Sequence, residues 1–368
     1  MYSTKEYLRH GILFLATLIC TTLAGAELVY GKSVLGVAES VLTWEYFWKS
    51  LAYSVPFLGI LLVHELGHFF TAIYHKVKCT LPFFIPGWLG FIGMPSIGTF
   101  GAVIQMKGFV NSRKKFFDIG IAGPLAGFVL AVGVLVYGFS SLPELDYIHT
   151  IHPEYADPDY TPEEGALGFE LGNNLLFWGL GEVFADPERL PPMSEVMHYP
   201  YLFAGFLALF FTALNLLPIG QLDGGHVIFG LFPRHHKEVS LVAYILFIGY
   251  AGLGIISPYA PIEDLMLWIP LYVGFLFICF TKSGLSVQTR ITLALGIAAV
   301  QYVLAYTIPG IQGYQGWLLY GFLLGRIMGL RHPEVSGYKE LDGKRKLLGL
   351  LAIVVFILCF SPEPFIIR

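Results

Sequence analysis

Apolar runs, each near the length that crosses a bilayer, recur along the chain at about residues 11–28, 51–74, 117–138, 200–219, 239–257, 264–281, 291–308, 315–330 and 347–360. A spanning helix needs about 20 predominantly apolar residues, so the pattern predicts an all-α polytopic membrane protein with about nine transmembrane helices. One apolar stretch departs from it. Residues 81–109 are interrupted by Pro82, Pro86, Gly87, Gly90, Gly93, Pro95, Gly98, Gly101 and Gly108, which argues against a helix. Within it, Ile97 to Met106 alternates small or polar residues with bulky and β-branched ones, the pattern of a strand or hairpin. At membrane depth a strand cannot leave its backbone groups facing lipid, so it must be covered by protein or line a wet cavity.

Composition agrees with the pattern. Of 368 residues 55% are hydrophobic and only 13% charged, against about 25% charged in a soluble domain, and mean hydropathy is +0.67. The net charge is only -4, but its distribution orients the chain. Lys5 and Arg9, the group Lys76, Lys78, Lys107, Arg113, Lys114 and Lys115, then Arg234 and Lys237, Lys282 and Arg290, and Arg331 to Lys346 all fall on one side of an alternating topology. By the positive-inside rule that side, with the N-terminus, is cytoplasmic. The longest loop, 141–199, lies opposite and carries twelve acidic residues with Arg189 as its one Lys or Arg. A bacterial inner membrane is the expected setting. The four cysteines are scattered, so neither a disulfide framework nor a cysteine-rich metal site is indicated. No basic domain points to nucleic acid. Lys5 and Arg9 before a short apolar run ending Ala24-Gly25-Ala26 resemble a signal peptide; the expectation is an uncleaved anchor.

The apolar run from Leu51 to Tyr74 contains His64-Glu65-Leu66-Gly67-His68. Lipid tolerates such side chains poorly, and intramembrane ionisable groups mark functional sites by default. On a helix His64 and His68 are one turn apart on one face and can share a metal, with Glu65 beside them as a general base. This is the HExxH pattern of zinc hydrolases, which need a third protein ligand and an open position for water. A metzincin would continue with Gly and His where Thr71 and Tyr74 stand. The next glutamate, Glu144, lies in the external loop, out of reach. Asp223, in Asn215-Leu216-Leu217-Pro218-Ile219-Gly220-Gln221-Leu222-Asp223-Gly224-Gly225-His226, lies at the cytoplasmic end of the fourth span, where Pro218 and the glycines can break the helix and present it. A plain helix-capping role for Asp223, and ligation by His226, are the alternatives.

His64 to His68 in one span, Ala122-Gly123-Pro124 opening the next, and Asn215-x-x-Pro218 followed by Leu222-Asp223-Gly224 together resemble the site-2 protease family of intramembrane zinc metallopeptidases, over about Leu51 to Phe232. The segments 76–86, 98–105 and 122–127 look most like its plastid and cyanobacterial branch. The resemblance implies one zinc ion held by His64, His68 and Asp223, Glu65 as catalytic acid/base, and a membrane-re-entrant β element. It also implies a single-span membrane protein or remnant signal peptide as substrate, cut within or near its transmembrane segment in regulated intramembrane proteolysis. A substrate helix must unwind before attack; the strand at Gly98, Gly101 and Val103 is expected to hold it by edge pairing, and Asn215 to bond its freed backbone. Gly123, Pro124 and Gly127 are assigned to helix packing. The expected organisation is an anchor span and external loop (1–50), a catalytic core (51–232) containing the β segment (81–109) and the acidic loop (141–199), and C-terminal helices (233–368). A transporter lined by the Pro and Gly breaks, a non-proteolytic zinc-binding membrane protein and a prenyl-protein endopeptidase are the rival readings.

Overall fold

The computed structural model describes residues 2–36, 40–108, 110–157, 169–333, 335 and 340–367. Its helices are α1 (Thr4–Tyr30), α2 (Trp44–Lys49), α3 (Leu51–Tyr74), α4 (Arg113–Ser140), α5 (Leu175–Phe184), α6 (Pro200–Leu216), α7 (Asp223–Leu231), α8 (His236–Ala251), α9 (Ile262–Cys279), α10 (Val287–Thr307), α11 (Gly316–Phe322) and α12 (Gly343–Cys359). Strands β1 (Phe83–Gly87) and β2 (Gly98–Val103) form one antiparallel pair, β3 (Phe169–Leu171) and β4 (Phe365–Ile367) another. Among the described residues five helical segments are long and apolar enough to cross a membrane: Thr4–Tyr30, Trp44–Tyr74, Arg113–Ser140, Ile262–Cys279 and Val287–Thr307. The chain therefore has the helices of a multi-pass membrane protein, but four of the nine expected spans are shorter. Pro218 follows the end of α6, Gly252 caps α8, α11 passes into a π-helical turn at Leu323–Met328, and α12 has 17 residues.

The chain divides into two compact units. The first comprises 1–110, 121–214 and 354–368, the second 111–120 and 215–353.

In the first unit α1 is the axis. A capping box, Ser3 with Glu6, starts it, and Gly31 in the left-handed conformation ends it. Ala24-Gly25-Ala26 lies inside this helix, buried. Gly25 is there because Tyr53 of α3 occupies the space: a Cβ would sit 2.7 Å from its ring. Tyr53 in turn stacks between Phe57 and Phe203, at 5.5 and 5.2 Å, and Thr22 bonds Ser54 at 2.8 Å.

The hairpin lies along the same helix. Phe84 meets Phe14 edge-on at 5.0 Å, His10 Nδ1 bonds the Pro82 carbonyl at 2.9 Å, and the Trp88 indole donates to Glu27 at 3.0 Å. Phe83 pairs with Val103 and Gly87 with Gly98, with an irregularity between Phe84 and Pro86, the residue whose ring removes a ladder donor. The expected β segment is thus a hairpin within 81–109. Strand β3, from the acidic loop, pairs with β4, and Phe365 packs on Phe210 at 5.2 Å. Residues 158–168 of that loop lie outside the described residues.

In the second unit Arg113 donates twice to the Gly230 carbonyl, at 2.9 and 2.6 Å, placing a cation on the C-terminal end of α7. Arg345 grips Asp118 with two bonds of 2.7 and 2.8 Å. The buried Tyr244 hydroxyl of α8 sits between the carbonyls of Cys279 and Gly321, at 3.1 and 2.8 Å.

Gly98 fixes how closely the hairpin can approach α1. Its φ is +85° and a Cβ would lie 2.3 Å from the Thr21 Cα. Gly98→Val is expected to cost about 3 kcal/mol, from the left-handed backbone and from overpacking, read as a lowered thermal midpoint in detergent. Gly93→Ala, also at positive φ but facing open space, should cost about 1 kcal/mol; equal losses would assign the effect to the backbone alone.

Candidate metal centre

Helix α3 places His64, Glu65 and His68 in its fourth and fifth turns, and all three are buried, at 6–7% exposure. The imidazoles meet across one turn: Nε2 of His64 and Nε2 of His68 are 3.1 Å apart, with ring planes at 72°. Two neutral rings that face each other through lone pairs repel, so the pair calls for a proton or a cation between its nitrogens. Two ligands of one tetrahedral zinc are about 3.3 Å apart at ordinary Zn–N lengths. The donor set and its spacing therefore fit a zinc ion.

What holds the rings there is the close approach of α4. A Cβ on Gly67 would meet the Ala122 carbonyl oxygen at 2.5 Å; one on Gly123 would meet His68 Nε2 at 2.1 Å; one on Gly127 would meet His64 Cβ at 3.1 Å. Helix packing was the role expected for Gly123 and Gly127, and the packing is against the two histidines themselves. The motif Ala122-Gly123-Pro124-x-x-Gly127 is the wall on which the imidazoles rest.

The hairpin passes beside the same helix. At one end Tyr53 donates to the Ile97 carbonyl at 3.1 Å. At the other, Met106 bridges to Cys79, the Cys79 carbonyl accepts from Tyr2 at 2.8 Å, and the Tyr2 ring lies 6.1 Å from Phe69. The segment from Gly98 to Met106 is thus tied to Tyr53 just before its start and, through Cys79 and Tyr2, linked to Phe69 at its end. Of the expected strand residues, Gly98 is buried against α1, while Val103 is 51% exposed. Gly101, at φ +101°, has its N–H taken by Thr99 Oγ1 at 3.0 Å, so that donor is already engaged within the hairpin.

In the second unit the break after α6 is as the sequence suggested. Asn215 is in the last turn of α6, half-buried, and Pro218 follows it. Gly220 turns the chain at φ +57°, and Asp223 opens α7. Gly224 and Gly225 are needed because a Cβ would meet the Leu216 carbonyl at 2.0 Å and the Gly220 carbonyl at 2.3 Å. His226 is not an isolated histidine. Its Nδ1 lies 2.8 Å from His332 Nε2, and His332 Nδ1 lies 2.7 Å from the Pro333 carbonyl. A carbonyl only accepts, so His332 carries its proton on Nδ1 and His226 donates to its Nε2. Phe116 and Phe229 stack on the two rings, at 5.2 and 4.0 Å. Nothing in the local sequence around His332 signalled this pairing, which joins residues 106 positions apart. Burial, with His226 adding to it, pulls the His332 pKa down to about 3. Glu144, set aside as a ligand, is held by Arg189 at 2.6 Å.

The family described as Peptidase family M50 matches residues 52–256, an interval that contains every site residue named above from His64 to Asp223. The chain is 33% identical over 204 residues to the probable zinc metalloprotease EGY1, chloroplastic, of Arabidopsis thaliana, covering 55% of this chain and 33% of that protein. It is 34% identical over 184 residues to the rice (Oryza sativa subsp. japonica) protein of the same name, covering 50% and 28%. To the probable zinc metalloprotease EGY2, chloroplastic, of Arabidopsis thaliana it is 28% identical over 194 residues, covering 53% and 31%. The chain spans about a third of the length of these curated relatives.

Two measurements follow from the site's construction. Gly123→Ala pushes a methyl into the His68 ring and is expected to weaken divalent-metal affinity by about 100-fold, the upper range for disturbed ligand orientation. Gly59→Ala, on the same helix as the histidines but facing open space, should leave it unchanged, and parity between the two in equilibrium dialysis would show that the wall is dispensable. For His332 the folded pKa lies below its ordinary value near 6.5, so the folded state binds fewer protons. Its contribution to stability is intact above pH 6.5 and is lost as pH falls from there toward 3. His332→Asn should flatten the fall of the thermal midpoint over that acid range; an unchanged slope would refute it.

Proposed function

The chain belongs to peptidase family M50, and on that premise we propose that it is a zinc metalloprotease of the site-2 type, cutting a peptide bond within or near the transmembrane segment of a membrane-anchored substrate. The observation that carries this reading is the buried pair His64 and His68, with Nε2 atoms 3.1 Å apart, on an apolar helix that also bears Glu65. Such side chains in a membrane-spanning helix need a function to justify their desolvation. We propose Asp223 as the third ligand: it is the carboxylate that the broken segment 217–222 presents, and it lies within the family match.

A zinc ion at this site would acidify water and polarise the scissile carbonyl. Glu65, adjacent to His64 and three residues before His68, takes the proton from the attacking water and delivers it to the leaving amine. Its burial keeps bulk water from competing for that proton. Asn215 bonds the unwound backbone of the substrate, a role suited to a half-buried amide beside a helix break. Strand β2 offers Phe100 and Val103, both exposed, as contacts for an extended substrate that adds to the hairpin's edge. At Gly101 the Thr99 hydroxyl must first release the N–H it holds.

Within this reading the hairpin is the membrane-re-entrant element, the substrate is a single-span protein or a remnant signal peptide, and the reaction serves regulated intramembrane proteolysis. The basic loops support a cytoplasmic N-terminus, with a bacterial inner membrane as the expected setting. The relatives' names are chloroplastic, which points to another membrane for those proteins.

The test is incubation of the full chain, purified in detergent, with a single-span substrate, with and without a chelator. Glu65→Gln should retain zinc and lose at least about 100-fold in cleavage rate, the typical share of a general base; full activity in that variant would sink the assignment. Asp223→Asn should lower zinc occupancy, and unchanged occupancy together with normal cleavage would require a different third ligand.

A further inference from the structure

The external part of the first unit contains a second convergence of metal-ligating side chains. His152, Glu195 and His198 each bring one ligand atom within 4.8 Å of the other two. His152 lies just before a single 3-10 turn, and Glu195 and His198 are three apart across another, at Val196–His198, so both project to one side.

The hydrogen bonds behind the rings decide which nitrogens carry protons. His198 Nδ1 lies 2.7 Å from the Val29 carbonyl, and His152 Nδ1 lies 3.0 Å from Glu154 Oε1. A carbonyl and a carboxylate only accept, so both protons sit on Nδ1. In the neutral rings both Nε2 atoms are then lone-pair donors, and they face each other at 3.2 Å. Glu195 Oε2, buried and without a hydrogen-bond partner, lies 3.8 Å from His198 Nε2. Two lone pairs and a carboxylate oxygen directed at one another repel. A proton shared between the rings would relieve the first contact but leave Glu195 Oε2 beyond hydrogen-bonding distance. A divalent cation satisfies all three.

The supporting shell has the form that metal sites use, with each ligand histidine held by an acceptor on its far nitrogen. Tyr155 stacks on His152 at 4.8 Å and donates to Glu195 Oε1 at 3.4 Å; Tyr147 donates to the His198 carbonyl at 3.0 Å. The 3.2 Å between the imidazole nitrogens is already close to the spacing of about 3.3 Å in a tetrahedral zinc site, and only Glu195 needs to move in.

We propose that His152, Glu195 and His198 form a second site for a divalent transition-metal ion of the zinc class, which fastens the acidic external loop to the last turn of α1 through His198 and Val29. Two imidazoles and one carboxylate suit zinc, cobalt or nickel; calcium and magnesium prefer all-oxygen sites. The site does not depend on the role proposed for His64 and His68.

The experiment uses the full chain in detergent, stripped with chelator and dialysed against buffered zinc or cobalt. The double variant His64→Ala/His68→Ala should retain one equivalent of metal, and its cobalt form should show the visible absorption of a low-coordinate site. Adding His152→Ala should abolish both. Glu195→Gln, which keeps the side chain's shape, should weaken the remaining binding at least tenfold, so a misfolded histidine variant does not leave the question open. Metal that persists in both loop variants, or a His64→Ala/His68→Ala protein that binds none while keeping native helix content, would overturn the proposal. If His64 and His68 were not ligands, their substitution would remove no metal, yet His152→Ala would still remove one equivalent; the two readings therefore fail separately.

Discussion

Two imidazole nitrogens 3.1 Å apart inside an apolar helix set the terms for the rest of the first unit. Removing polar side chains from water without partners costs several kcal/mol, and an ionised one costs more. The chain keeps His64, Glu65 and His68 on α3 and covers them with α4 at a separation that a single Cβ would prevent. Gly67, Gly123 and Gly127 carry that approach, one on the histidine helix and two on its neighbour. The glycines forgo side-chain packing of their own and lose more backbone freedom on folding, a cost of about 1 kcal/mol each relative to alanine. What they gain is a wall that leaves each ring little freedom to turn. A ligand pair needs this fixed orientation, whereas a pair that merely bridged helices by hydrogen bonding could tolerate looser walls.

The hairpin answers a second constraint. Its strands are too short and too interrupted by Pro and Gly to pack alone, and the structure lays it along α1, with Gly98 against the Thr21 backbone and Phe84 against Phe14. Protein thus covers one side of the sheet. Phe100 and Val103 remain exposed on β2, so apolar side chains flank the strand where protein does not cover it. That combination suits an extended apolar peptide better than it suits water.

How much of this could be read from the chain depends on how local each signal is. The HExxH spacing is set by one helical turn, so His64, Glu65 and His68 were legible from five residues. The hairpin was legible because Pro and Gly exclude a helix and alternation remains. The break that exposes Asp223 followed from Pro218 and Gly220. Span count was less legible: hydropathy alone does not show where Gly252 ends α8 or where α11 widens into a π-helical turn. The role of Gly123 needed the packing partner, since a glycine in an apolar helix looks the same whether it meets a leucine or a histidine. The His226–His332 pair, 106 residues apart, and the His152–His198 pair, 46 apart, carry no local pattern at all, apart from the spacing of Glu195 and His198.

The two histidine pairs of the first unit solve one electrostatic problem by different means. Both bring Nε2 atoms to almost the same separation, 3.1 and 3.2 Å. At His64 and His68 the surroundings are helices, and Gly123 and Gly127 let α4 close directly on the rings. At His152 and His198 the surroundings are turns and the end of α1, where the Glu154 carboxylate and the Val29 carbonyl hold each ring through Nδ1. The difference predicts their weaknesses: a single added methyl threatens the first, and a single lost acceptor the second. The placement of glycines around one pair and of Val29, Glu154 and the tyrosines around the other follows from that division.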